Sequence, residues 1–204
     1  SDWSIMCRYR IIVAPKASGE HSGIALKNAT TAMPVATQTP SEGWLATNAM
    51  RNADTATVYP AAHWARSLNI GGRTDWYIPA RDELELCWRN LKPTTAANNV
   101  SNRSLSAYNY ATLGAYGDTA ATQGLNPNSS PAGAVYTTTN PAQVANTAFR
   151  TGGAEAFSYG GGGNSYYWGS SEYSASHAWG QYWQSSFPGN QINFVKTNPN
   201  RVRA

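Results

Sequence analysis

Between Leu84 and Leu91 apolar side chains recur at i, i+3, i+4 and i+7 through Cys87 and Trp88, the spacing that lines one face of an α-helix. Asp82 and Glu83 suit the positive end of that helix's dipole, and Pro93 lies just past its other end. Val58, Ala61, Ala62, Ala65 and Leu68 share a face in the same way and predict an earlier helix over 58–68, stopped by Gly71-Gly72. The period changes to two in the last forty residues. Strands are predicted at 166–168, 178–183, 191–195 and 201–203, with Pro188-Gly189-Asn190 and Asn198-Pro199-Asn200 as turns. Near the other end, the β-branched and aromatic run 8–13 predicts a strand that stops at Pro15, with 24–26 as its return strand. A further short strand is read at 76–78. From Thr30 to Gly43 the chain turns to Thr, Ala, Pro and Gln, a polar connector. Residues 94–163 show little periodicity beyond a helical turn or two where Asn140 precedes Pro141 and Val144, Ala148 and Phe149 form a face. The pattern is that of an α+β domain over 44–204, carrying long loops and preceded by a hairpin and connector over 1–43.

A chain of 204 residues is long enough for one sizeable core and too short for two large folds. Only 13% of its residues are charged while 12% are aromatic, so the surface must be built largely from Ser, Thr, Asn, Gln, Tyr and Gly. Adhesive surfaces have that chemistry, whereas disordered tails are charge-rich and aromatic-poor. The net charge of +4 is not gathered into a basic run or helical stripe, which leaves a nucleic-acid partner unsupported. The longest apolar candidate, 11–14, is of strand length, far below the roughly 20 residues of a membrane span, and no membrane insertion is expected. The chain opens at Ser1 with nothing like a signal peptide after it and reads as a processed or truncated piece of a longer protein.

Candidate chemistry is sparse. Cys7 and Cys87 have no neighbouring Cys or His at metal spacing, and they read as two buried thiols, with a disulfide as the alternative. His21, His63 and His177 are scattered, and His63 falls on the predicted helix 58–68 as a surface or core-edge residue. Asp82, Glu83 and Glu85 point in different directions around their helix and read as capping and solvated charges rather than a paired-carboxylate site. The four glycines 160–163 lack a following Lys-Ser/Thr and read as a flexible turn rather than a phosphate cradle.

One combination of motifs is specific. It runs from Gly71-Gly72-Arg73-Thr74-Asp75-Trp76-Tyr77-Ile78-Pro79 through Arg81-Asp82-Glu83-Leu84-Glu85-Leu86 and Trp88-Arg89-Asn90-Leu91-Lys92-Pro93. It continues with Asn140-Pro141-Ala142-Gln143, Gly152-Gly153-Ala154-Glu155-Ala156-Phe157, Tyr167-Trp168-Gly169-Ser170-Ser171-Glu172 and Arg201-Val202-Arg203-Ala204. Over 44–204 the chain resembles the C-type-lectin-fold domains of bacteriophage tail-fibre proteins, relatives of the variable proteins of diversity-generating retroelements. The resemblance implies a C-type lectin fold whose terminal segment is a ligand-binding face on a fixed frame. Trp168, Ser170, Ser171, Glu172, Ala178, Trp179, Gln191, Lys196, Val202 and Arg203 would be frame, buried or hydrogen-bonded. Ser176, His177, Tyr182, Trp183, Gln184, Ser185, Phe187, Asn190, Asn193, Phe194, Val195, Asn198 and Asn200 would face the target, with Trp183 equally readable as core.

The composition of that stretch agrees on physical grounds, because stiff aromatic area combined with adaptable Ser, Asn and Gln hydrogen bonds is how antibody paratopes are made. The calcium-site tripeptides of sugar-binding lectins are absent, Asn198-Pro199-Asn200 being only an echo, so binding without metal or other cofactor is expected. Formylglycine-generating enzymes share the fold but need a reactive Cys pair, and Cys87 on an apolar helix face does not supply one; no catalysis is expected. The expectation is a virion receptor-binding module that recognises a host-surface glycan or protein, works beside other fibre subunits and forms a homotrimer. The alternatives are a structural virion protein whose carboxyl-terminal face docks another subunit, or a bacterial surface adhesin.

Overall fold

A computed structural model describes residues 9–100, 123–160 and 165–204. In chain order the elements are a helical turn α1 (Lys16–Gly19), β1 (Glu20–Ile24), α2 (Gly43–Ala53), α3 (Pro60–Ser67), α4 (Arg81–Leu91), β2 (Tyr166–Glu172), β3 (His177–Tyr182), β4 (Gln191–Val195) and β5 (Asn200–Arg203), with 3₁₀ turns at Val35–Thr37 and Thr147–Phe149. The architecture is α+β. Five strands form one sheet in the order β1-β5-β2-β3-β4, antiparallel except for the parallel β2/β5 neighbours.

The alternation along the strands assigns each sheet face to its own layer. Trp168 on β2, Ala178 on β3, Phe194 on β4 and Val202 on β5 join Leu26, Met50, Ala61, Ala62, Ala65 and Ile78 in one buried cluster, which α2 and α3 cover. Tyr167 and Trp183 point the other way and pack with Leu84, Cys87 and Trp88 of α4 and with Phe157. Trp183 lies between Trp88, 4.9 Å away edge-on, and Phe157, stacked at 4.0 Å, so the tryptophan that sequence left open is core.

α4 forms where its periodicity predicts, but its acids are not solvated. Asp82, Glu83 and Glu85 are all buried. Glu83 Oε2 accepts the backbone N–H of Ala80, the residue before the helix, at 2.7 Å, and that of Gly43 at 3.2 Å, so one carboxylate caps α4 and fastens the start of α2 to it. Its Oε1 accepts the hydroxyls of Tyr9 at 2.9 Å and Tyr77 at 3.3 Å. Glu85 accepts from Arg89 at 2.8 Å, Tyr136 Oη at 2.8 Å and Asn126 Nδ2 at 2.7 Å, while Asp82 Oδ2 accepts from Asn128 Nδ2 at 2.9 Å. Arg89 also donates to the carbonyls of Gly124 and Ala134. The acidic side of α4 thus anchors the loop 123–136, and that burial is the reason these residues are not a free charged face.

Other departures have local causes. No strand forms over the described residues 9–13. The run meets the sheet only at its end, where Ala14 N donates to Ala204 O at 2.8 Å and Arg203 Nε donates to Ala14 O at 2.6 Å, and Ile12 stays exposed. β1 instead pairs with β5, where Glu20 bridges Arg201 and Arg203 at 3.1 Å each. With Leu26 and Met33 in the main core cluster and Ala14, Lys27 and Thr37 also buried, the amino-terminal stretch is part of the same body. The helix α2 was missed because it buries only Gly43, Ala46, Thr47 and Met50 and leaves Trp44 and Leu45 outside. Residues 76–78 form no strand: Thr47 Oγ1 accepts Ile78 N at 3.0 Å and donates to Ile78 O at 3.3 Å, taking the place of a ladder partner. In 140–149 only the 3₁₀ turn forms, capped by Asn146 rather than Asn140. Gly160 is described, but 161–163, the rest of the predicted glycine turn, lie outside the described residues, as do Arg8 and Cys7. Among the described residues no helix is long and apolar enough to cross a membrane.

Burial raises the Glu83 carboxyl from its ordinary 4.5 to about 7 in spite of the four donors around it. The folded chain therefore holds a proton between pH 4.5 and 7 that the unfolded chain has released, so this group's contribution is fully present below pH 4.5 and is lost as pH rises through 7. At 1.36 kcal/mol per unit the loss is about 3 kcal/mol. Urea unfolding at pH 4.5 and pH 8 should show it, and Glu83→Gln should flatten the dependence to what Glu85, shifted in the same direction by burial, still contributes.

Candidate binding face

Beneath the carboxyl-terminal strands lies a polar frame. Lys196, just past β4, makes a fully buried ion pair with Glu172 at the end of β2. The ammonium also donates to Ala175 O at 2.7 Å and Thr31 O at 3.1 Å, and Glu172 Oε1 accepts Met33 N at 2.6 Å. Three separate parts of the chain, the 31–33 segment and the ends of β2 and β4, are tied at one point. Beside it Lys27 donates to Thr31 Oγ1 at 2.7 Å and Ala32 O at 2.6 Å. Desolvation lowers both lysines below their usual pKa, with Glu172 opposing the shift. On the α4 side Ser171 accepts Arg81 N at 3.0 Å and donates to Thr39 O at 2.6 Å. Gln191 donates to Arg81 O at 2.8 Å, and the Arg81 guanidinium lies 4.3 Å above the Trp179 ring. All ten frame positions, Trp168, Ser170, Ser171, Glu172, Ala178, Trp179, Gln191, Lys196, Val202 and Arg203, are buried.

On the face of β2, β3 and β4 turned away from α4 the sheet carries a group of aromatic rings. Tyr166 and Tyr182 sit opposite each other across β2/β3, ring centroids 4.7 Å apart and edge-on. Phe194 stacks on Tyr166 at 4.8 Å and meets Tyr182 at 5.5 Å, and Phe187 in the β3–β4 turn lies 5.5 Å from Tyr182. Gly180 makes this possible, since a Cβ there would approach Phe194 to 2.8 Å and the Tyr167 carbonyl to 2.7 Å. The turn is set by Gly189, whose φ of +79° suits glycine and whose missing side chain leaves room for the Trp88 indole. Burial raises the Tyr182 phenol above its ordinary pKa, so it remains a neutral donor and acceptor. From 173 to 195 there is no Asp, Glu, Lys or Arg, so the surface can offer stacking, apolar contact and amide or hydroxyl hydrogen bonds but no ionic recognition.

The predicted face residues divide. Ser185, Phe187 and Asn198 are exposed, and Ser176, His177, Tyr182, Asn193 and Val195 are half-buried. Trp183, Gln184, Asn190, Phe194 and Asn200 are buried and must be withdrawn as direct contacts. Trp183 belongs to the α4 layer, and Gln184 bridges to Gly160. Asn190 O receives Tyr182 N at 2.8 Å, Asn200 begins β5 opposite Ile24, and Phe194 supports the rings above it. Tyr166 and Ile192, both half-buried beside Tyr182 and Phe194, were missed; their parity along β2 and β4 places them on that face. Asn193 and Val195 have the opposite parity and reach solvent at the sheet edge. His177 Nδ1 lies 2.7 Å from Ser176 Oγ, and His63 Nε2 lies 2.8 Å from Asp54 O. The buried Cys87 thiol is pushed up to about 12 by desolvation and stays protonated. Among the described residues no three His, Cys, Asp or Glu are grouped to hold a metal ion.

No protein-family model, curated protein or solved structure matches the chain.

Replacing Lys196 with Met strands Glu172 in the core and should cost about 3–5 kcal/mol in chemical denaturation. Glu172→Gln combined with Lys196→Met should recover part of that loss, because no uncompensated charge then remains.

Proposed function

We propose that the chain is a non-catalytic receptor-binding module of the C-type lectin type, displayed on a bacteriophage tail fibre, which grips a host-surface glycan or protein through the ring assembly of Tyr166, Tyr182, Phe187 and Ile192. The observation that carries this reading is an uncharged cluster of the half-buried Tyr166, Tyr182 and Ile192 with the exposed Phe187, held beside a frame of buried polar side chains. Large rigid rings lose little entropy on binding and stack on sugar faces or on apolar peptide side chains. Burial of every frame position that the tail-fibre resemblance implies supports the same reading. Its partners would be the receptor and other fibre subunits in a homotrimer. Val35, Trp44 and Leu45, 79%, 51% and 47% exposed, are apolar side chains left outside the core on which such a neighbour could rest.

Flow cytometry with the fluorescent chain on a panel of intact bacterial cells, together with a glycan array, tests the proposal. Binding should survive EDTA and 0.5 M salt, since no ion and no charge pair is used. Tyr182→Ala should weaken it roughly 30-fold or more, the size of a hot-spot truncation, while circular dichroism shows the fold retained and the thermal midpoint falls for the lost contacts to Tyr166, Phe187 and Phe194. Cell binding that Tyr182→Ala leaves intact would contradict the proposal.

A further inference from the structure

Among the described residues β4 ends the sheet and pairs only with β3. Tyr182 N donates to Asn190 O at 2.8 Å and Lys196 N donates to Ser176 O at 3.1 Å. By the antiparallel pattern, even-numbered residues of β4 therefore turn their peptide groups toward β3 and odd-numbered ones turn theirs outward. Asn193 presents both its N–H and its C=O along the outer edge. Val195 presents its N–H, its carbonyl being taken by Asn198 N at 2.9 Å.

Natural sheets blunt such an edge with charge, proline, a bulge or extreme shortness. This edge has none of them. Five successive β3/β4 pairs, from His177↔Val195 to Gln181↔Gln191, run without a register shift, whereas β1/β5 and β2/β3 both slip. No proline or charged residue occurs in Gln191–Val195, and the whole stretch between Glu172 and Lys196 is uncharged. The half-buried side chains of Ile192 and Asn193 flank the edge on its two sides, one beside the aromatic patch and one away from it.

We propose that β4 is a docking edge for an extended, uncharged segment of a partner protein, which adds to the sheet as a further strand. The inference rests on the binding-face reading above and commits that face to a polypeptide. A row of outward peptide groups at β spacing is matched by another backbone, which supplies affinity, while Ile192 and the rings beside it select side chains at alternate positions of the incoming strand. The absence of charge on either side of the edge calls for a neutral segment.

The probe is a display library of random 12-residue peptides panned on the whole chain, with a recovered peptide resynthesised bearing N-methyl groups on one or the other alternate set of amides. Recovered peptides should be uncharged and alternate β-branched or aromatic residues with polar ones. N-methylation of one set should abolish binding and of the other leave it, which is the signature of a one-sided ladder. Asn193→Pro removes an outward N–H while sparing the β3 ladder and should weaken the unmodified peptide at least tenfold by fluorescence anisotropy. Equal sensitivity to both N-methyl sets, wild-type affinity in Asn193→Pro, or failure to recover any peptide overturns the proposal. So does a fall in sedimentation mass caused by Asn193→Pro, which would give the edge to a second copy of the chain. The N-methyl comparison needs no variant and decides the matter even if Asn193→Pro does not fold. If Tyr182→Ala abolishes cell binding while Asn193→Pro leaves it, strand addition fails and the binding face stands; if neither matters, both fail.

Discussion

The ion pair between Lys196 and Glu172 is the constraint on which the carboxyl-terminal half depends. Both charges are sealed from water, so each would be strongly destabilising alone, and each is satisfied only when the ends of β2 and β4 and the 31–33 segment meet at one point. A hydrophobic contact would tolerate small shifts of those segments. A desolvated ammonium surrounded by two carbonyls and a carboxylate does not. The short uncharged hairpin of β3 and β4 therefore has a defined position relative to the amino-terminal part of the core, although a long stretch of chain that includes α2, α3 and α4 separates them in sequence.

From that fixed point the faces follow by parity. The side of β3 and β4 that carries Ala178, Gly180 and Phe194 continues along the sheet into the half-buried Tyr166, Tyr182 and Ile192. The other side is committed to α4 through Trp179 beneath Arg81 and Trp183 against Trp88, and the buried acids of α4 extend the same polar cement to the loop 123–136. Concentrating charge in the frame and excluding it from the display surface separates two tasks that otherwise conflict: the frame is specified by ionic and hydrogen-bond geometry, and the surface is left to rings and amides.

The helix α4 was legible because its apolar stripe is strong and its boundaries are marked, and the four carboxyl-terminal strands because alternation and turn residues agree there. α2 was illegible because its buried positions are Gly, Ala, Thr and Met while its Trp and Leu face solvent, which inverts the usual signal. Residues 76–78 looked like a strand because apolar content does not show that Thr47 stands in for a partner strand. At the proposed face, aromatic and amide composition points to a segment but not to the side chains that reach solvent. Composition is blind to parity, which buries Trp183 against α4 and brings in Tyr166 and Ile192. The acids of α4 were misjudged for a related reason, since nothing local reveals that a distant loop will cover them.

With its end fixed by the Lys196–Glu172 pair, the β3–β4 hairpin should be a preformed platform rather than a loop that orders on binding. Native-state amide hydrogen exchange of the free chain tests this directly. The Gly180 and Ile192 amides, which pair across β3 and β4, should exchange only through global opening, with the same free energy as the Leu26 amide held by the Lys196 carbonyl in the core. Exchange of Gly180 and Ile192 through a separate opening of much lower free energy, with Leu26 still protected, would show that the hairpin frays on its own and would contradict the claim.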